Sequence, residues 1–589
     1  MKMNTVCDKE IIMSKFFTKD NDGNYVINGT EYSLRVSGHR VGVLLDGTQY
    51  AELDVRTAVP KTLDDDSGFV ADIEEDIPVL VSVTEEKNCV TFVWTNKSSL
   101  WEKEYKLICN SLRFRYMVTV KGEGRVDGVE YFRGNAGIAR YGSSYEFSEG
   151  FNPCRSWFPE EDYHFTASRN CHRWSVLMVP PMFCYGFKMS AQAKLLGLGL
   201  VAKPGEHNFH SFDYKVASDP FYYNGFCLVT DQYGHVTVNG EWTAPEIIGY
   251  SADHEDDVVV KYSNYYYSSG NAKIRKAEDR PRFWYGPIVC GWIEQIVRSV
   301  GDMPCDDPSQ IACQPLYEDI IRKIKKYELS AKALIVDDKW QKHYATDEVD
   351  PDKWSDMRGF IDERHKEGIH TMLWFKLWDT DGWEGKPCLE TEKGERTVDP
   401  SHPEFLKNLD EVMHRLLSAD EGCYDCDGFK LDFAFWNPIG RKVHSYSGKY
   451  GVELLYDYMA YIYKAAKAVK PTALINCSPC HPYFAHICDQ ARLHDYDGAC
   501  RCNREDMTMR GKMFAYALPG VLLDTDNAAF NTRRDAMRWL INQNTVGVPA
   551  LYSLTPTESC KLTDEDFVAI SQMWKEYSEI MDERYGKDQ

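Results

Sequence analysis

The residues in this chain best suited to chemistry are carboxylates that close short apolar runs. The run Asp427-Gly-Phe-Lys-Leu-Asp432 ends in an acid two residues after a lysine. Side chains alternate across a strand, so Lys430 and Asp432 share one face with Gly428 below them. Opposite charges on an inward face are a costly choice for packing alone, because buried charges need partners. A neighbouring lysine favours the ionised carboxylate, the state a nucleophile requires, and can also hold a substrate hydroxyl. A surface ion pair at a strand end is the plainer reading of the same residues. A second acidic run, Arg492-Leu-His-Asp495-Tyr-Asp497, lies about sixty residues on. Glycoside cleavage needs two carboxyls, one ionised and one protonated at rest. Asp432 is expected to be the nucleophile and Asp495 the acid/base, with Asp497 as its rival. The alternative is that Asp495 and Asp497 only cap the segment that follows.

Two further sets fit a sugar. Asp337-Asp338-Lys-Trp340 follows the apolar run Ala333–Val336. Adjacent carboxylates suit bidentate bonding to vicinal hydroxyls, although a helix cap or a calcium ligand uses the same types. Trp374, Lys376 and Trp378, with Trp292 upstream, offer flat faces to the apolar side of a sugar ring. Core packing explains Trp374 nearly as well.

For these residues to meet, one scaffold must present them at one end. From about residue 281 short apolar runs alternate with amphipathic stretches. Strands are predicted near 283–290, 333–337, 369–375, 427–432, 472–477, 490–495, 519–523 and 548–552. Helices are predicted over 315–328, 353–367, 403–418, 449–468, 503–517, 531–543 and 563–584, and the connection after the fifth strand is short. This rhythm predicts a (β/α)₈ barrel over 276–589, with its site at the carboxyl ends of the strands. An open doubly wound sheet is the alternative, but no Gly-rich phosphate loop accompanies the pattern. Residues 1–275 read as an antiparallel β-sandwich, with alternating runs bounded by Asn28-Gly29, Asp46-Gly47, Asp127-Gly128 and Asn239-Gly240. The charged, then Tyr/Ser-rich stretch 251–275 is expected to join the two domains.

Composition narrows the partners. A chain of 589 residues exceeds a single core, and a net charge of −22 disfavours nucleic acid and anionic lipid. The N-terminus lacks the apolar core of a signal peptide, and no run of about twenty apolar residues occurs, so no membrane partner is expected. The 19 cysteines, an odd number, then read as reduced thiols of a cytoplasmic protein. Cys423 and Cys426, or Cys477, Cys480, His481 and Cys488, are conceivable zinc ligands, but two paired C-x-x-C knuckles are lacking. No metal and no cofactor are expected; Cys477 or Cys480 touching substrate is the preferred reading. A homo-oligomer stays open.

Taken in order, ALIVDDKW, RHKEGIHTMLWF, GFKLDF, RLHDYD and PGVLLDTDN resemble clan D glycoside hydrolases, over roughly residues 281–555. These are the α-galactosidase families 27 and 36, with family 31 more distant. The resemblance implies Asp432 as nucleophile, Asp495 as acid/base, Asp337 and Asp338 on the C4 and C6 hydroxyls of galactose, and Lys430 and Arg492 as substrate-binding groups. It also implies a preceding β-sandwich whose loops reach the barrel mouth, where Trp157 of FNPCRSWFPEEDY could contribute. The implied activity is that of a retaining exo-α-glycosidase, α-galactosidase-like, acting on an oligosaccharide or glycoconjugate. Three departures bear on the sugar. Asn476-Cys-Ser-Pro-Cys480-His481 stands where many family 36 enzymes are Gly-rich; Asp495 follows Arg492 by three residues rather than the four of family 27; and no β-domain is expected after the barrel. Alternatives are a transglycosidase of the raffinose-synthase type, an α-glucosidase, α-xylosidase or α-N-acetylgalactosaminidase, a metal-dependent barrel hydrolase, and a non-catalytic carbohydrate-binding protein.

Overall fold

The computed structural model describes residues 15–134, 141–146, 149–151, 180–189, 193–219, 223–275, 280–493, 503–526, 530, 532–556 and 560–586. Its first part is an antiparallel β-domain, with 18 strands among the described residues hydrogen-bonded as one continuous system. The system is continuous because two long strands, Phe114–Tyr131 and Tyr223–Thr243, pair with each other and with several shorter neighbours. Their register shifts between Val126 and Gly128, a bulge of the kind that bends a strand. Alternation of buried and half-exposed residues along Glu102–Cys109 and Phe114–Val120 puts one face in the core and one toward solvent.

The stretch expected only to join the domains is a helix, Glu255–Ser268. Val258, Tyr262, Tyr265 and Tyr266 recur at helical spacing and are buried. The Tyr262 hydroxyl lies 3.0 Å from His481 Nε2, and the Tyr267 hydroxyl donates to the Ala517 carbonyl at 2.7 Å, so this helix docks on the second part of the chain.

That second part is the barrel. Its eight strands are Ile288–Cys290, Ala333–Val336, His370–Lys376, Gly428–Asp432, Leu474–Cys477, Gln490–Arg492, Leu522–Asp524 and Ala550–Leu551. Each falls in or beside its predicted run. They pair in parallel in chain order, the first also pairs with the eighth, and a bridge between Asp524 and Val548 closes the ring. Helices Gln314–Lys326, Met357–Lys366, Pro403–Leu417, Gly451–Val469, Asn503–Ala517, Arg533–Leu540 and Asp564–Tyr585 surround it. The fifth connection carries a 3₁₀ turn, Pro482–Ile487, in place of an α-helix. Gly428 is required where it stands: its φ is +145°, and a Cβ there would lie 2.1 Å from the Leu474 carbonyl oxygen of the next strand.

Parity sorts the barrel residues. Ile288, Cys290, Ala333, Ile335, Met372, Leu474, Ala550 and Tyr552 form one buried cluster. The intervening Val289, Leu334, Val336, Leu373, Phe429 and Ile475 belong to the larger core shared with the helices. By the same alternation Asp337, Trp374, Lys430, Asp432, Asn476, Arg492 and Asp524 project inward at the upper ends of their strands.

At the opposite end an ion cluster ties the third and fourth strands. Asp427, just before the fourth strand, lies 2.7 Å from His365 Nε2, 3.3 Å from His370 Nδ1 and 3.2 Å from Lys470 Nζ, and accepts from the Thr371 amide. The hydrogen bond to Asp427 raises the His365 pKa, against a smaller opposing effect of burial. A histidine raised in the folded state stabilises fully below its unfolded value of about 6.5 and loses that contribution as pH climbs through the folded one. His365→Gln is therefore expected to lower the melting temperature more at pH 5.5 than at pH 8.5. Equal losses at both pH values would contradict this account of the cluster.

Candidate active site

Two linked groups of side chains occupy the mouth of the barrel. The first centres on Asp432, the last residue of the fourth strand. Arg492 Nη2 from the sixth strand donates to its Oδ1 at 3.0 Å, and the Phe433 amide donates to the same oxygen at 2.9 Å. Trp374 Nε1 from the third strand donates to Oδ2 at 3.1 Å. Donors of this kind hold a carboxylate in its ionised form. The Asp432 side chain is 15% exposed, against 3% for Lys430 and 2% for Asp337, so of these three it is the one a ligand reaches.

Arg492 extends the group toward the seventh strand. Its Nη1 lies 3.3 Å from Asp526 Oδ2, and the Tyr552 hydroxyl donates to Asp526 Oδ1 at 2.5 Å. Asp524, whose pKa is raised by burial and then by the charge of Asp526, accepts from Asn476 Nδ2 at 2.8 Å. One guanidinium thus bridges carboxylates from the fourth strand and from beyond the seventh.

The second group lies deeper. Lys430 Nζ is 2.8 Å from Asp337 Oδ2, and the Cys290 thiol donates to the same oxygen at 2.9 Å. Asp337 Oδ1 accepts from the Asp338 amide, and the Tyr317 hydroxyl receives the Asp337 amide proton. Burial is the largest single influence on Lys430 and opposes its charge, but Asp337, Cys290 and Asp432 together outweigh it and leave the lysine pKa above its ordinary value. Asp338 is more open and takes a hydrogen bond from the Tyr344 hydroxyl at 2.9 Å. Burial, then the charge of Asp337, pushes its pKa up to about 6. Near neutral pH this acid is poised to accept or donate a hydrogen bond to a hydroxyl ligand.

Trp340 is fully buried and donates to the Trp374 carbonyl, a position that supports Trp374 from behind. Trp378 is buried edge-on against Tyr458, on the helix side of the barrel. Trp292, half-buried, packs on the inner barrel cluster. Cys477 is buried as a free thiol beside the free thiol of Cys488, and Cys480 is buried too. Asp495, Asp497 and Trp157 lie outside the described residues. Sequence reasoning gave no role to Cys290, Tyr344, Asn476, Asp524, Asp526 or Tyr552. Strand parity could have found Asn476, Asp524 and Tyr552; nothing in the local sequence marks Tyr344.

Among the described residues the groups able to hold a metal are His365–His370–Asp427 and Asp362–His365–Asp425. Both lie at the far end of the barrel from Asp432, and Lys470 already brings a positive charge to Asp427 and Asp425.

A parallel eight-stranded barrel with acids at the carboxyl ends of its strands, preceded by an antiparallel β-domain, is the architecture of clan D glycoside hydrolases, and this chain has that fold. No protein-family model and no curated protein matches the sequence. Among solved structures, a GH31 family sulfoquinovosidase from E. rectale is similar with a TM-score of 0.53 at 11% identity, over 92% of this chain and 82% of that one. The galactosidase domain of the α-galactosidase-sucrose kinase AgaSK gives a TM-score of 0.50 at 12% identity, over 96% and 86%. The GH36 α-galactosidase AgaB from Geobacillus stearothermophilus gives 0.50 at 10% identity, over 96% and 86%. The chain spans only 57% of the cycloalternan-forming enzyme from Listeria monocytogenes and 59% of the ER glucosidase II chain that it also resembles. No helix among the described residues is long and apolar enough to cross a membrane.

Proposed function

We propose that the protein is a retaining exo-α-glycosidase that releases a terminal α-linked sugar, with an α-galactoside as the first substrate to try. The observation that carries this reading is the setting of Asp432. It is a partly open carboxylate at the end of the fourth strand, held by donors from the third and sixth strands in a barrel of clan D fold. In the reaction Asp432 attacks the anomeric carbon while Asp495, with Asp497 as its rival, protonates the departing oxygen. The same acid then takes a proton from water, which releases the sugar with its α configuration retained. A separation of about 5–5.5 Å between the two carboxyls is expected for this course. Asp338 bonds sugar hydroxyls, and Arg492, almost wholly buried, holds the Asp432 carboxylate for attack. Lys430 and Asp337 fix the floor beneath them.

Aryl α-glycosides with galacto, gluco, xylo and N-acetylgalacto rings form the test panel, with the first-formed anomer followed by proton NMR. Turnover of at least one, with the α anomer appearing before mutarotation, is the expected result. Initial release of the β anomer would refute retention, and no turnover of any of the four would refute the glycosidase.

A further inference from the structure

Trp436 stands out against the other tryptophans. It is 44% exposed, and among the described residues it is the one tryptophan on the exposed apolar surface; Trp94, Trp101, Trp340, Trp374, Trp378, Trp383, Trp539 and Trp574 are all fully buried. It lies four residues after Asp432, at the end of a 3₁₀ turn, Ala434–Trp436. The chain enters that turn through Phe433, whose φ of +61° is in the left-handed region. This reversal lets the Phe433 amide bond the Asp432 carboxylate while the turn stays beside the mouth.

The indole is also held in place. Phe433 meets it edge-on at 4.5 Å, and Lys376 Nζ lies 4.5 Å from its centroid. Lys376 is the strand partner of Asp432, is paired with Asp379 at 2.8 Å, and also lies over the rings of Tyr344 and Phe433. Just downstream the β-domain grips the same loop. Asp127 takes two bonds from Arg441, at 2.6 and 3.0 Å; Asp66 lies 2.8 Å from His444 Nε2; and His235 Nε2 lies 2.9 Å from the Gly440 carbonyl oxygen. The indole packs on Phe433 and Phe435 yet stays 44% exposed on a loop pinned by the β-domain. The Phe433 amide itself bonds Asp432, so an aromatic face stands close to the reactive carboxylate.

We propose that Trp436, steadied by Phe433 and Lys376, is the platform for the leaving group. It accepts a flat apolar face, either an aryl ring or the C–H side of a second sugar, as that group departs from the carbon attacked by Asp432. The inference rests on the glycosidase reading above. Its reach is separate, because it concerns only the part of the substrate beyond the scissile bond.

The test compares three α-glycosides of one sugar: an aryl glycoside, a disaccharide and the glycosyl fluoride, whose leaving group has no face to stack. Trp436→Ala is expected to lower kcat/KM on the first two by about tenfold or more, with a loss on the fluoride at least about fivefold smaller. Trp436→Phe, which keeps a ring, should recover most of the difference and controls for folding. A loss confined to the aryl substrate identifies an aromatic leaving group, and one confined to the disaccharide identifies a sugar; either supports the platform. Equal losses on all three, or no loss on any, would overturn it. Asp432→Ala, assayed on the fluoride beside these variants, separates the two readings. If that variant turns over like wild type, the assignment of Asp432 as nucleophile fails; if it is inactive while Trp436→Ala spares every substrate, only the platform fails.

Discussion

Asp432→Ala abolishes turnover of the best α-glycoside, with kcat expected to fall by about a thousandfold or more while the protein stays folded. The size follows from what the residue supplies. A nucleophile splits one difficult displacement into two easier ones, and Asp432 is the carboxylate that Arg492 and Trp374 hold together. Truncation removes the attacking oxygens and leaves a cavity of carboxylate size facing the sugar. Azide has the size and charge to enter it. Attack by azide from the nucleophile's side on an α-glycoside must give the β-glycosyl azide, since one inversion replaces two. Recovery of activity with azide, together with that product, therefore assigns both the residue and the face of attack. Near wild-type hydrolysis by Asp432→Ala would remove Asp432 from the chemistry. Asp526 still pairs Arg492 in the variant, so the chain should stay folded, and a circular dichroism spectrum like that of wild type is expected as the control.

Much of this architecture is legible in the sequence, for a definite reason. Strands buried on both faces must be short apolar runs, and amphipathic helices between them must repeat with a period near 3.6, so the eight strands and most helices of the barrel leave periodic traces. Pro403–Leu417 shows it well: Phe405, Leu409, Val412, Met413 and Leu416 all turn inward. The helix Glu255–Ser268 carries the same period, but its buried positions are filled by tyrosines, whose polar tips disguise the stripe. The same ambiguity affects the tryptophans. Position after a strand places Trp340, Trp374 and Trp378 near the mouth, but an indole serves equally as core, as hydrogen-bond donor or as platform. Only the fold separates buried Trp340 and Trp378 from Trp374, which reaches Asp432, and from open Trp436. Pairings across the ring are the least legible of all. That Arg492 bridges Asp432 and Asp526, or that Lys430 turns to Asp337, depends on strands far apart in sequence, and no local pattern encodes it.

The Lys430–Asp337 pair should dominate the stability of the mouth. Both side chains are almost wholly buried, and their contact of 2.8 Å is backed by the Cys290 thiol and the Asp338 amide on the same carboxylate. Removing one member of such a pair strands a charge in a dry interior and costs about 3–5 kcal/mol, whereas replacing both by neutral groups of similar size is far less harmful. Lys430→Met is therefore expected to destabilise the folded chain by about 3–5 kcal/mol, and Lys430→Met/Asp337→Asn to recover at least half of that loss. Because the lysine pKa is raised in the folded state, the pair contributes in full below the unfolded value of about 10.4 and weakens only as pH rises above it, so pH 7 is a sound place to measure. Denaturant titration of the wild type, both single variants and the double variant gives the coupling directly. Additive effects would mean that the two charges do not stabilise one another, and that each is held by its other neighbours. Activity should not follow stability here. The double variant, though folded, loses the polar floor beneath Asp338, and a KM well above that of wild type is expected from a site that has kept Asp432 but can no longer fix the sugar over it.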